Sequence, residues 1–366
     1  MRQNERLPSS NSIRPDGYIR STRRFVRTFV KEASRGMDIN TAVRERVVSE
    51  LGRRDVDIAD PAMATDWDAF EKILFRPRPR LISAISAYSL LTGKDFEDIT
   101  QQEGMIPAKA FWMLGTIQDN LLDGLDKTKV AAMSEDERMA ALHDSIFGKG
   151  REFQQATHAV ISSELEANPA YGQAQIDYLL GGMSQWFDFL LRQESEVYRT
   201  PEENYSFEFC KNYREQQNAV AGRVVVSFLN GQNCLDPELQ KYEQIIPILS
   251  YRTQIMDDIG DVVEDMEMKR PSYVIGALRE FPDEFEAVKK ISAQKGIKKF
   301  TPHKLKKYAP QSYKLVKATF TAYGEELSQT YGVKGAILDK AGRLAYHTFP
   351  VMRDLMYKVN ERYTYF

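Results

Sequence analysis

The sequence predicts an all-α protein that folds as a single large helical bundle. Apolar residues recur at the three- and four-residue spacing of amphipathic helices from about residue 23 to the end of the 366-residue chain. Runs of alternating β-branched residues, which are typical of strands, are nearly absent. No linker rich in Gly, Ser and Pro divides the chain into halves, so we expect one helical domain over residues 23–366.

Residues 1–22 differ from the rest of the chain. They are rich in Arg, Asn, Ser and Pro and have no apolar period, which is typical of a flexible basic arm. The same stretch lacks the apolar core of a signal peptide. The two cysteines, Cys210 and Cys234, match no metal or redox spacing. We therefore expect a cytoplasmic protein.

Start signals mark the predicted helices along the chain. Asn40 precedes one apolar run, Pro107 suits the first turn of another, and Ser134 with Glu137 forms a capping-box pattern. Long helices with short connections favour a bundle. Seven prolines are expected at or near helix boundaries: Pro79, Pro107, Pro169, Pro201, Pro247, Pro282 and Pro310.

The lysine-rich stretch from Lys289 to Lys307 interrupts the apolar pattern. Because it contains Gly296 and Pro302, it is predicted to form a polar loop between helices. A functional alternative is a mobile lid that brings positive charge to an anionic substrate.

Composition restricts the class of protein. Hydrophobic residues make up 42% of the chain, charged residues 28%, and the formal net charge is -2. These values exclude a disordered chain and a strongly basic nucleic-acid binder. No apolar stretch reaches the roughly 20 residues that span a bilayer, so no transmembrane segment is expected. The partners must be inferred from individual sites.

The first acidic cluster follows the apolar run that begins at Pro107. Asp119, Asp123 and Asp126 fall within about 60° of one another on a helical face. Trp112 lies two turns before Asp119 and within about 20° of it on the same helical face. If Asp119 faces a metal at the mouth of a cavity, Trp112 is expected to project into the deeper, apolar part of that cavity. Gly115 is expected to leave room there.

The second acidic cluster contains five acids within nine residues. On a helix, Asp257, Asp261 and Glu264 share a narrow face, with Asp258 and Asp265 towards one side of it. Apolar residues alternate with these acids, which indicates an amphipathic helix packed on a core rather than a solvated acidic tail.

Two carboxylate-rich helices are suited to hard divalent cations. Mg²⁺ prefers oxygen ligands and usually binds through one or two carboxylates together with phosphate oxygens of a substrate. Such a cation can neutralise the charge that develops on a departing diphosphate. The pattern therefore predicts a magnesium site between the two clusters.

The second cluster resembles that of the isoprenoid synthase superfamily, and most of all the trans-polyprenyl diphosphate synthases. Gln254, Asp257, Asp258 and Asp261 match the pattern Phe-Gln-x-x-Asp-Asp-x-x-Asp, with Thr253 in place of the aromatic residue. The resemblance covers residues 70 to about 280 and implies a bundle of the class I isoprenoid synthase type, with about three Mg²⁺ ions and a prenyl diphosphate substrate.

Two further segments carry the resemblance. Gln185 and Asp188 look like the family's Gly-Gln-x-x-Asp, and Arg76 to Pro79 look like the end of its Gly-Lys-Arg-x-Arg-Pro. The chain departs from the family in its first cluster, which reads Asp-Asn-Leu-Leu-Asp without a following Arg-Arg-Gly, and in Phe75, which replaces a lysine. The family uses those residues for its two diphosphates, so these departures argue against ordinary chain elongation.

Related families fit parts of the remaining pattern. Squalene and phytoene synthases carry Asp-x-x-x-Asp in both clusters. In this chain the same spacing separates Asp119 from Asp123 and Asp261 from Asp265. Terpene cyclases carry a metal-binding triad at i, i+4 and i+8, a spacing that Asp257, Asp261 and Asp265 reproduce.

The resemblance implies a terpene synthase that ionises an allylic prenyl diphosphate and cyclises the resulting cation in an apolar pocket. One alternative is prenyl coupling, by chain elongation or by head-to-head condensation. Another is a noncatalytic regulatory subunit of a prenyl diphosphate synthase. Related enzymes commonly form dimers, so a homodimer is an expected assembly.

Each predicted site residue has one or two expected roles. Asp119, Asp123, Asp257 and Asp261 are expected to be catalytic, and these four with Asp258 and Asp265 are the expected metal ligands. Because paired hydrogen bonds from Arg suit diphosphate oxygens, arginines on or near the matching segments are candidates. The expected substrate-binding residues are Arg78, Gln185, Arg214, Arg223, Gln254 and Trp112.

Overall fold

The computed structural model describes residues 41–56, 79–94, 99, 104–123, 125–148, 151–297 and 299–363. Every regular element within these ranges is a helix. The predicted all-α class is therefore confirmed, whereas the N-terminal arm, residues 1–22, lies outside the described residues. No helix in the described part of the chain is long and apolar enough to cross a membrane.

From Met105 onwards the described helices follow one another with short connections. Residues 41–53 form a first helical segment. The helices after it are α1 (Pro79–Thr92), α2 (Met105–Asp123), α3 (Lys127–Ala131), α4 (Glu135–Phe147), α5 (Glu152–Glu166), α6 (Gln173–Arg199), α7 (Phe207–Asn230), α8 (Pro237–Gln240), α9 (Ile245–Glu267), α10 (Tyr273–Glu280), α11 (Pro282–Lys295), α12 (Pro302–Tyr308) and α13 (Pro310–Tyr363).

Several of these helices begin where local signals predict. Ser134 accepts a hydrogen bond from the Glu137 N–H while the Glu137 carboxylate accepts from the Ser134 N–H, so the predicted capping box is confirmed. Pro282 and Pro310 each begin a helix, as predicted. Asn40 lies outside the described residues. Pro247 stands in the first turn of α9, where its missing N–H would have no helical partner.

Helix α7 is at the centre of the bundle. It packs against α2, α6, α9 and α10, and α9 packs in turn against α13. The apolar faces of these helices meet in one core, in which side chains such as Phe228, Ile255 and Met113 are at most 1% exposed. Burial of these faces is the main stabilising contribution to the bundle.

Arg252 joins α9 to the last helix inside the core. Its guanidinium is 3.0 Å from the Asp339 carboxylate and lies 4.1 Å from the Phe320 ring centre. A Cβ at Gly342 would stand 2.6 Å from this guanidinium, so the glycine is needed for the close approach. Helix α13 is interrupted between these contacts at Gly332, whose φ of 55° suits glycine.

The lysine-rich stretch is mostly helical, which corrects the prediction of a loop. Lys289 lies within α11, which ends at Lys295 before Gly296 in the left-handed conformation. Thr301 then caps α12 by accepting a hydrogen bond from the Lys304 N–H. The lysines do not oppose a helix, because straight-chain residues have good helix propensity.

Candidate functional site

A cavity of about 180 Å³ lies between α2, α6, α7 and α9. Its wall is aromatic and apolar on one side and charged on the other. The apolar side includes Phe111, Trp112, Trp186, Leu190 and Ala221. The charged side includes Lys127, Arg214, Asp257, Asp258, Asp261, Asp265 and Arg270. A ligand with a charged head and a hydrocarbon tail matches this division.

Trp186 shapes the apolar side. Its ring meets Phe111 edge-on with 5.2 Å between ring centres, and a Cβ at Gly115 would stand only 3.1 Å from its Cη2 atom. Gly115 was expected to leave room for a ligand, but the indole of Trp186 takes that space. Trp112 is half-buried and lines the cavity one turn earlier on α2.

Asp257 and Asp261 present carboxylates to the cavity from consecutive turns of α9. Both are half-buried and both line the cavity. This placement follows from the helical period, since residues four apart share a face. Their oxygens are donors of the kind that Mg²⁺ prefers.

Asp258 points to the side of that face and is held by protein groups. It accepts hydrogen bonds from Gln254 Nε2 at 2.5 Å and from the Tyr273 N–H at 2.8 Å, and Arg214 lies 3.3 Å away. Burial raises the pKa of this carboxyl group, against the opposing effect of Arg214. Asp258 thus joins α9 to α7 and α10, with its oxygens already engaged.

Among the described acids of the site, Asp265 has the most strongly raised pKa. It is 3% exposed, and within the described residues its Oδ2 atom has no hydrogen-bond partner. Burial, reinforced by the charge of Asp258, raises the pKa of Asp265 well above its usual range, although Ser272 hydrogen-bonds to it. This environment favours the protonated form.

Among the described residues, three cations line the charged side. Arg214 is oriented by Asp258 and by Gln217 Oε1, which is 3.3 Å from its Nη1 atom. Lys127 Nζ donates to the Met268 carbonyl at 2.5 Å and to the Lys269 carbonyl at 3.2 Å, just past the C-terminal end of α9. Arg270 lies 3.5 Å from Glu264.

The sequence reasoning missed Lys127 and Arg270. A usable signal was present, because each is a cation that follows one of the acidic clusters within a few residues. Asp126 was expected to extend the first acidic stripe, but α2 ends at Asp123 and Asp126 instead caps α3 by accepting from two N–H groups. This corrects the predicted three-carboxylate stripe.

Two predicted substrate-binding residues do not line the cavity. Gln185 is exposed on α6, about 100° from the buried Trp186 beside it. Arg223 is exposed on α7, where its Nε donates to the Ala219 carbonyl. It lies nine residues after Arg214 and therefore on the opposite face of the helix.

The other two acids of the first cluster, Asp119 and Asp123, are described only in their backbone. Asp119 and Asp123 occupy the last two turns of α2, one and two turns beyond the cavity-lining Thr116, and their side chains lie outside the described residues. Arg78 also lies outside them.

Oxygen donors at the cavity fit a magnesium ion that is shared with a substrate. Among the described side chains, no three acidic, histidine or cysteine groups are close enough to hold a metal by themselves. Mg²⁺ commonly needs only one or two carboxylates when phosphate oxygens complete its shell. Asp257 and Asp261 meet that requirement.

Comparisons of the chain with protein-family models, with curated proteins and with solved structures find no match.

Proposed function

We propose that the protein is a class I isoprenoid synthase that ionises an allylic prenyl diphosphate, and that it acts as a terpene synthase. The observation that carries the proposal is the divided cavity, in which aromatic side chains face a group of carboxylates and cations. A prenyl diphosphate has the matching division into a hydrocarbon chain and an anionic head. The sequence pattern of the second acidic cluster supports the same assignment.

The charged side suits a diphosphate bound with Mg²⁺. Asp257 and Asp261 would hold the ion, and Mg²⁺ supplies neutralisation of the charge that develops on the leaving diphosphate. Arg214, Lys127 and Arg270 are the cations that line this side. Their N–H groups can donate charge-assisted hydrogen bonds to phosphate oxygens.

Arg214 is preorganised for this role. Asp258 and Gln217 hold its guanidinium from two directions, so little reorganisation is needed when an anion binds. Asp258 is accordingly a positioning residue, which acts through Arg214.

The aromatic side suits the hydrocarbon chain and a carbocation derived from it. Faces of Trp112 and Trp186 can stabilise a nearby cation by roughly 0.5 to 2 kcal/mol each. Apolar walls also exclude water, which would otherwise trap the cation as an alcohol. Ionisation and cyclisation of such a substrate require one bound diphosphate and no second one.

Prenyl coupling is the second candidate. It is favoured by one contact, because Gln254 and Asp258, two residues that match the polyprenyl synthase pattern, are hydrogen-bonded to each other. The two reactions differ in whether a second diphosphate is required.

A product assay tests the proposal. The protein is incubated with Mg²⁺ and geranyl, farnesyl or geranylgeranyl diphosphate, with and without isopentenyl diphosphate. We expect release of diphosphate and a cyclic hydrocarbon or alcohol without isopentenyl diphosphate. Products that appear only with it indicate coupling. Absence of turnover with all three substrates would indicate the noncatalytic subunit and refute the proposal.

Variants assign the turnover to the site. Asp257→Ala and Asp119→Ala should each abolish diphosphate release, whereas Asp177→Ala, which changes an exposed aspartate of α6 outside the matching motifs, should leave it unchanged. EDTA should stop the reaction and added Mg²⁺ should restore it. Near-normal turnover of Asp257→Ala would remove the metal assignment.

A further inference from the structure

Lys299 reaches the second acidic cluster from a distant segment. Its ammonium group binds Asp261 Oδ1, 38 residues earlier in the chain, and lies 3.5 Å from Glu264 Oε2. The residue stands between α11 and α12. A positive charge from the chain itself therefore rests on one of the two half-buried carboxylates that face the cavity.

The backbone around Lys299 is anchored on α9. Phe300 is 1% exposed, and its N–H donates to the Gly260 carbonyl at 3.3 Å. Lys304 Nζ donates to the Lys299 carbonyl at 3.3 Å. With its backbone held in this way, Lys299 can leave Asp261 by rotation of its long side chain alone.

A separate observation, an unsatisfied buried polar atom, points to a ligand in the same cavity. Asp265 lines the same cavity, is 3% exposed, and has an Oδ2 atom without a hydrogen-bond partner within the described residues. Buried polar atoms are rarely left unsatisfied in proteins. The water shell of a cation bound in the cavity would satisfy this atom.

We propose that Lys299 is a built-in counter-ion that holds Asp261 until a divalent cation replaces it, and that it thereby sets the affinity of the site for that cation. The inference rests on the proposed function, which needs a cation at Asp261. Because the ammonium group and the cation compete for one carboxylate, each weakens the binding of the other. The tether at Phe300 keeps the displaced ammonium near the anion that arrives with the metal.

Calorimetric titration with Mn²⁺ alone, and with Mn²⁺ plus inorganic pyrophosphate, tests the proposal without turnover. Lys299→Met keeps an unbranched side chain that is one atom shorter and removes the charge. We expect its Kd for Mn²⁺ to fall about 5-fold, the scale of an exposed ion pair. Lys306→Met, which removes an exposed lysine of α12, is the matched control and should keep the wild-type Kd. Lys299→Arg should also keep it.

The outcomes separate this inference from the proposed function. Equal affinity of wild-type protein and Lys299→Met overturns the counter-ion role while the metal site stands. Equal tightening in Lys306→Met overturns it as well, since the effect would be one of net charge. No binding by any variant, even with pyrophosphate, overturns both proposals. Lys299→Gln provides an independent variant that should repeat the tightening.

Discussion

Replacing Asp258 by asparagine is expected to destabilise the fold far more than the same change at its neighbour Asp257. The two residues differ by one step along α9 but face different surroundings. The Asp258 side chain is 1% exposed and is bound by Gln254, Tyr273 and Arg214. Asp257 is half-buried and faces the cavity.

The magnitude follows from the partners that Asp258 would leave. Asparagine can still accept the hydrogen bond from the Tyr273 N–H, but its amide presents donors to the Gln254 and Arg214 donors. Breaking a buried ion pair costs roughly 3 to 5 kcal/mol. Arg214 is 12% exposed and borders the cavity, so water can solvate it in part. We expect a loss of about 2 to 4 kcal/mol in the free energy of unfolding.

Urea unfolding followed by circular dichroism measures both variants, and titration with Mn²⁺ and pyrophosphate measures the site. Asp257→Asn should lose less than about 1 kcal/mol of stability, as is usual for a residue outside the core, and should lose cation binding. Asp258→Asn should lose more stability than Asp257→Asn and should keep more of the cation binding. Equal stability of the two variants, or a larger loss for Asp257→Asn, would refute the reasoning that separates the two roles.

Further predictions concern Asp265, Arg252 and Trp112. Because the pKa of Asp265 is raised in the folded protein, this residue contributes stability that is complete below its unfolded pKa of about 3.9 and is lost as the pH rises through the folded value. Between about pH 5 and about pH 8, the free energy of unfolding measured with urea should therefore depend less on pH in Asp265→Asn than in the wild type. Asp339 is bound by Arg252, which is 2% exposed, and by Arg343, which is 48% exposed. Arg252→Met should cost about 2 to 4 kcal/mol, since it removes the buried partner of this carboxylate, whereas Arg343→Met, which removes the exposed partner, should cost under about 1 kcal/mol. Trp112→Ala should keep Mg²⁺-dependent diphosphate release and change the products or admit a longer chain.

These three predictions have distinct contrary results. An unchanged slope of stability against pH in Asp265→Asn would show that another group titrates. Equal losses of stability in Arg252→Met and Arg343→Met would show that burial does not decide how much each arginine's ion pair with Asp339 contributes. Unchanged products with a lowered Tm in Trp112→Ala would show that this indole serves only the core.

Much of the helical layout is readable from the chain because helices depend on near neighbours. The capping box of Ser134 and Glu137 and the prolines at 282 and 310 act within a few residues, and the structure shows helices that begin there. The missed helix, α12, also has local signals, since Thr301 caps it and Pro302 opens it. A loop was predicted there instead because the surrounding lysines interrupt the apolar periodicity of a helix.

The sequence by itself also determined the direction of side chains on α9. The helical period sets Asp257 and Asp261 on one face, and both line the cavity. A period reports direction relative to the other residues of the same helix. The helical period of α9 was therefore sufficient to predict an amphipathic helix with an acidic face.

Only the tertiary structure decided which group each of these side chains meets. Asp258 is paired with Arg214 of α7, Asp261 with Lys299 from beyond α11, and the space beside Gly115 is filled by Trp186 of α6. Each contact joins segments that are far apart in the chain. Such pairings depend on how helices pack against one another, and the local patterns that determine a helix carry no information about the segment that will lie opposite it.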